Sequence, residues 1–168
     1  MKKGLFIFVS LCIYCSIFQS CKYSFKGTSI DPDVETFYVE VFDIKVLNAP
    51  PTIGQDFSNE LTEKIQRESR LNLSDIDPDI SFEGVLTRFE VTEPSPEAGE
   101  TVAFNRLNIN VKVDFLDKDE EDPIWSQQFS YFSDFSTSQN LLDVQDQLLE
   151  DIYAQLVEDV FNKAFTNW

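Results

Sequence analysis

Residues 107–115 read Leu107-Asn108-Ile109-Asn110-Val111-Lys112-Val113-Asp114-Phe115. Apolar and polar side chains alternate without a fault, and a period of two sends every apolar one to the same face of an extended chain. The stretch 102–116 is therefore predicted to be a strand with one face in a core and one in water. Antiparallel sheets tolerate a wet face, whereas strands of a parallel sheet are covered on both sides and read as continuous apolar runs. This one stretch decides for an antiparallel sheet covered on one side only.

Its neighbours read the same way. Over 124–135, Trp125, Phe129, Tyr131 and Phe135 share a face with Gln127 and Ser133. The acidic segment from Asp117 to Asp122, closed by Pro123, makes the turn before it. Over 80–92, Ile80, Phe82, Gly84 and Leu86 share a face, and Phe89 and Val91 then switch parity, which predicts a bulge. Pro94-Ser95-Pro96 and Gly99 turn the chain between these strands. Upstream, residues 36–46 are rich in β-branched and aromatic side chains and predict a further strand. Residues 22–30 alternate weakly and could add a short one.

Two helices complete the reading. After Pro50-Pro51, Thr52 and Gln55 have the spacing of a capping box. Phe57, Leu61 and Ile65 then recur every four residues, up to about Arg70. From Asp143 to about Phe165, a broad apolar stripe runs through Val144, Leu148, Ile152, Leu156, Val160, Phe161 and Phe165, with acids covering the rest. The simplest arrangement is an α+β two-layer sandwich: a mostly antiparallel sheet of about four strands with two helices on one face.

The beginning of the chain has another character. Lys2 and Lys3 precede an apolar run of about 15 residues, too short to cross a membrane comfortably. Gln19-Ser20-Cys21 follows, and then the composition turns polar. Ser20 is a small residue before a cysteine, whereas Leu11 and Tyr14 precede Cys12 and Cys15. Residues 1–20 are thus expected to be a lipoprotein signal peptide. Cys21 is expected to be the lipidated first residue of a single domain, 21–168. No other cysteine would remain, so no disulfide could brace that domain.

Charge bounds the partners. The chain carries 13 Lys and Arg against 30 Asp and Glu, a net charge of −17. That excess opposes nucleic acid and anionic lipid surfaces, so membrane attachment would have to come from acyl chains such as palmitate. With no histidine, nucleophile–base pairs and zinc sites lose their usual ligand. Two segments open like calcium loops, Asp75-Ile76-Asp77-Pro78-Asp79 and Asp117-Lys118-Asp119-Glu120-Glu121. Neither has the glycine or the bidentate glutamate that must follow. Five scattered glycines make no phosphate cradle. No enzyme, cofactor or metal is expected.

Several features taken together resemble the LPS-assembly lipoprotein family, LptE, in a divergent branch. They are Cys21-Lys22-Tyr23-Ser24-Phe25 at the anchor, the strand from Thr36 to Phe42, and Pro50-Pro51 before the helix carrying Phe57, Leu61 and Arg70-Leu71. Phe82-Glu83-Gly84, Asn105-Arg106-Leu107, Trp125 and the terminal Phe165-Thr166-Asn167-Trp168 complete the set. The resemblance implies four main strands and two helices. It also implies an outer-membrane lipoprotein, periplasm-facing or inside a barrel lumen, that assists assembly of the β-barrel LptD and plugs it during lipopolysaccharide transport. Contact with lipid phosphate would fall to Arg88, Arg106 and Lys112, whose ordinary alternative is pairing with acids across strands. Tyr38, Phe42, Leu116 and Phe132, apolar on faces a simple sandwich leaves open, are expected to serve a large partner interface. The competing reading is an accessory or solute-binding lipoprotein of another envelope machine.

Overall fold

The structure, a computed structural model, describes residues 30–94 and 104–166. The signal segment, Cys21, the short strand expected at 22–30, the turn at Pro96 and Gly99, and Trp168 lie outside the described residues, save Ile30. The elements are strands β1 (Thr36–Val39) and β2 (Asp43–Ile44), helix α1 (Ile53–Glu68), strands β3 (Asn72–Leu73), β4 (Ile80–Thr92), β5 (Phe104–Asp117) and β6 (Trp125–Ser136), and helix α2 (Leu141–Phe165).

The expected α+β sandwich is present, but among the described residues the sheet has six strands rather than about four. Its order is β3-β1-β4-β5-β6, with β2 also on β4. β4, β5 and β6 form the antiparallel meander read from alternation, in register from Ile80↔Asp117 and Phe115↔Trp125 to Thr92↔Arg106 and Phe104↔Ser136. The expected bulge lies between Leu86 and Arg88. β1 and β2 join β4 in parallel, as does β3 with β1. β3 is absent from the sequence reading because two residues show no period.

The strand expected over 36–46 breaks in two. Val39 faces Phe82 and Asp43 faces Val85, so four steps on one side match three on the other. One extra residue reverses the parity. Phe42 therefore turns into the core beside Phe57, at 4.9 Å between ring centroids, while Val41 is exposed. This corrects the expectation that Phe42 is free for a partner. Ser58 of α1 satisfies the irregular backbone: its Oγ accepts from the Phe42 N–H at 3.0 Å and lies 2.9 Å from the Glu40 carbonyl and 2.8 Å from that of Gly54. Two glycines make room for Phe42. A Cβ on Gly54 would stand 2.0 Å from the Phe42 carbonyl oxygen, and one on Gly84 would stand 2.3 Å from its ring.

Asp79 fastens β1 to the meander. Its carboxylate accepts the N–H groups of Glu35 and Thr36 and the Thr36 hydroxyl, each at 2.9 Å, and its own N–H donates to Thr36 Oγ1. The Lys118 ammonium and these donors hold the Asp79 carboxyl well below the usual carboxylate range. A residue of an apparent solvated turn is a structural clamp.

Both helices cover one face of the sheet. Phe165 meets Phe82 and Phe115, and Phe57 meets Tyr153, so sheet and helices share one core. α2 starts earlier than expected because Asn140 caps it, accepting the Leu142 N–H at 3.0 Å. The capping box at Thr52 does not form. Thr52 has helical backbone angles, so its hydroxyl does not face the first N–H groups, and Gln55 bonds Asn59 instead. Between the helices, buried Lys64 pairs with Glu68 at 3.0 Å and with Glu158, over the ring of Phe161.

Candidate functional site

The sheet face away from the helices carries the sequence-predicted cations. Alternation in β5 puts Arg106, Asn108, Asn110, Lys112 and Asp114 there, opposite the buried Leu107, Ile109, Val111, Val113 and Phe115. Register places Arg88 beside Asn110 and Thr92 and Asp134 beside Arg106. The structure thus brings Arg88, Arg106 and Lys112 to one face. It does not bring them to one point, since Arg106 and Lys112 stand six residues apart on a strand, about 20 Å.

Each cation has an acid. Arg106 makes a bidentate pair with Asp134 across the strands, Nε–Oδ1 2.7 Å and Nη2–Oδ2 2.9 Å. Its guanidinium also lies 3.6 Å from the centroid of the Phe132 ring and 5.7 Å from that of Phe104. The bonds to Asp134 push its pKa above the ordinary value. Arg88 approaches Glu90 at 3.6 Å, and Lys112 reaches Asp114 at 3.1 Å, both along their own strands. Burial disfavours ionised Asp114, yet hydrogen bonds from Ser126 and Lys112 outweigh it and hold the carboxyl below its usual range. Burial, with Glu40 and Asp114 nearby, pushes Glu83 up.

The Arg106–Phe132–Asp134 cluster as a unit escaped the sequence reading, because it exists only once the register of β5 on β6 is fixed. The expectation that Phe132 stands exposed holds, at 43%. Chemically the face offers hydroxyl and amide ladders, paired charges and stacked aromatics. That suits a broad protein surface, where aromatic and Arg side chains anchor contacts. Among the described residues no helix is long and apolar enough to cross a membrane.

Solved structures share the fold at low identity. The hypothetical protein CT253 of Chlamydia trachomatis superposes with a TM-score of 0.56 at 9% identity, covering 80% of this chain and 99% of that one. Protein XCC0632 of Xanthomonas campestris gives 0.57 at 13% identity, covering 80% and 87%. PelC of Paraburkholderia phytofirmans, solved as a dodecamer, gives 0.50 at 9% identity, covering 79% and 90%. No curated protein matches in sequence. The model of the lipopolysaccharide-assembly family LptE matches residues 34–164, from the start of the sheet to the last turn of α2. The chain belongs to the LptE family of lipopolysaccharide-assembly lipoproteins.

Proposed function

We propose that this protein is an outer-membrane lipoprotein, anchored by acyl chains on Cys21, that assists assembly of an LptD-type β-barrel and plugs its lumen during lipopolysaccharide transport. The observation that carries the reading is the family match across nearly the whole described domain. The open sheet face supports it: an enclosed plug meets protein on more than the helical side, and exposed Phe132 with the Arg106 stack is the kind of anchor such contacts use. Permanent interfaces of this kind bury about 2,000–5,000 Å².

Direct contact with lipid phosphate belongs to the same proposal, through Arg88, Arg106 and Lys112. A phosphate would have to compete with Glu90, Asp134 and Asp114 for them. Substituting all three with glutamine therefore weakens lipopolysaccharide binding if the contact exists and leaves it unchanged if the acids keep their partners.

The test of the main reading is depletion combined with purification. The protein is expected to co-purify with a large β-barrel in mild detergent and to stay bound in high salt, where dispersed charges contribute little. Depletion is expected to leave misassembled barrel and lipopolysaccharide held back from the surface. Normal barrel assembly with unaffected surface lipopolysaccharide would overturn the proposal. Lipidation is checked separately: Cys21→Ala should abolish incorporation of labelled fatty acid, and continued labelling would move the anchor to Cys12 or Cys15.

A further inference from the structure

The two edges of the sheet are built differently. One ends in β3, two residues long. The other is β6, twelve residues long, and among the described residues no strand pairs with its outer side. β6 contains no proline, no lysine and no bulge, and its one charge, Asp134, is engaged by Arg106. Proteins normally blunt a long edge with such devices, because its free N–H and C=O groups template another strand. Gln139 closes this edge at its very end. Its side-chain oxygen accepts the Ser136 N–H at 3.1 Å, and its own N–H donates to the Ser136 carbonyl at 2.9 Å.

That capture shows which groups of the strand are open. In an antiparallel pair, successive residues turn their N–H and C=O alternately toward the partner strand and away from it. Ser136 turns both outward, so Ser126, Gln128, Ser130, Phe132 and Asp134 do the same, while the odd-numbered residues bond β5. The far end of β5 agrees in phase. The Lys118 N–H bonds the Asp79 carbonyl at 3.0 Å, so even-numbered residues of β5 face β4 and odd-numbered ones face β6. From Ser126 to Asp134 the open groups line about 30 Å of edge.

Such an edge selects an extended peptide backbone, and its surroundings select the side chains. On the helix side a new strand would lie beside Phe129 and Phe135, both buried, and Tyr131, exposed at the rim of the core. Apolar side chains fit there. On the wet side it would lie beside Ser126, Gln128, Ser130 and Phe132, all exposed, which suits polar ones. Charge fixes their sign. Asp119, Glu120, Glu121 and Asp122 stand exposed just before β6, and Asp143, Asp146 and Glu150 stand exposed on α2, which packs on β6. The chain as a whole carries −17. A second copy is a poor occupant for that reason. Antiparallel pairing about Ser130 would set each copy's acidic turn against the end of β6 where the other holds Asp134 and Asp143.

We propose that the outer edge of β6 docks an extended segment of a partner protein, in which apolar residues alternate with polar ones that include Lys or Arg. Backbone bonds give such strand addition its affinity, and alternate side chains give it specificity. The chemistry of the segment follows from the edge and does not rest on the barrel reading. If a barrel is the partner, the segment belongs outside its closed wall, since strands within the wall leave no edge free.

Amide exchange on the mature lipidated protein in neutral detergent tests the docking, with an acetylated and amidated Lys-Val-Lys-Val-Lys-Val-Lys-Val peptide as the probe. The amides of Ser126, Gln128, Ser130, Phe132 and Asp134 are expected to exchange about tenfold slower with the peptide bound, and those of odd-numbered β6 residues to be unchanged. An alternating Glu-Val peptide, and one with its lysines and valines in two blocks, are expected to protect nothing. Ser130→Pro removes an outward N–H without touching the ladder to β5, so it should keep the melting temperature and lose the peptide. Ser130→Lys leaves every backbone group in place and should weaken binding several-fold by setting a cation against the cationic strand. It carries the test should the proline variant fail to fold. Equal protection by the block peptide would reduce the effect to charge adsorption and overturn the proposal. So would undiminished binding by a folded variant, or no protection by the probe. Outward amides already protected without peptide would overturn it too: a second copy holds the edge if dilution releases them, and the chain's own remaining residues hold it if dilution does not.

Discussion

The meander β4-β5-β6 and the flank formed by β1, β2 and β3 belong to one sheet but hold together by different means. In the meander, long antiparallel strands keep one register, so alternation alone sends the apolar side chains to the core. In the flank, short parallel strands make few ladder bonds, and side chains do the fastening: Asp79 on Thr36, Ser58 on the break at Phe42, and Gly54 and Gly84 around the Phe42 ring. The meander is robust through many weak repeats. The flank depends on single residues.

The largest expected effect tests the meander's core. Phe165 packs on Phe82, Phe115 and Phe161 and is almost fully buried. Phe165→Ala should cost about 3–5 kcal/mol, as for other buried aromatics. That is a large part of a stability of about 5–15 kcal/mol. Thermal melting checks it, with a fall of about 10 °C expected. An unchanged melting curve would mean that the helix end does not belong to the core.

Gly54→Ala asks whether the flank depends on single residues. Elsewhere in a helix the change would stabilise, by about 1 kcal/mol. Here the new methyl meets a backbone carbonyl at 2.0 Å, so destabilisation of about 1–3 kcal/mol is expected. Chemical denaturation settles the sign, and a stabilised variant would show the flank to be as forgiving as the meander. Ser58→Ala sharpens the same point. It leaves the Phe42 N–H without its partner in a buried place and should cost about 1–3 kcal/mol. Hydrogen exchange should localise the loosening to residues 40–44, with β5 unaffected.

The smallest effect lies between the helices. The bond from Lys64, with one from Asn162, holds the Glu158 carboxyl below its ordinary 4.5 against the opposing effect of burial. A carboxyl depressed in the folded state stabilises above its unfolded pKa and loses that contribution as the pH falls through the folded one. Lys64 is the converse. Burial opposes its charge, but Glu158 and Glu68 raise its pKa above 10.5, so its contribution fades only in strong alkali. Glu158 is partly exposed, so solvent screening keeps the gain to about 1 kcal/mol or less. Denaturation at pH 7 should find Glu158→Gln slightly less stable than the native chain, with the two converging below about pH 4. A gap that persists in acid would assign the effect to packing.

The amino-acid sequence by itself determined the layers. The period-two stretches over 80–92, 102–116 and 124–135 and the long apolar stripe of the last helix are local signals, and strands at Ile80–Thr92, Phe104–Asp117 and Trp125–Ser136 and the helix Leu141–Phe165 answer to them, bulge included. The candidate cations were legible for the same reason, since parity alone sends Arg106 and Lys112 to the wet face. What only the tertiary structure decided is everything that depends on two distant segments meeting. The parallel flank arises because α1 carries the chain from β2 back to β3, and parity in 36–46 cannot reveal an extra residue that is defined against β4. Buried Lys64 reads as an ordinary surface lysine until α2 brings Glu158 to it. Asp79 reads as one more acid of a solvated turn until Thr36 and Lys118 close around it. A local pattern fixes which side of an element is apolar, but a clamp is a relation between elements, and no window of sequence contains both halves of it.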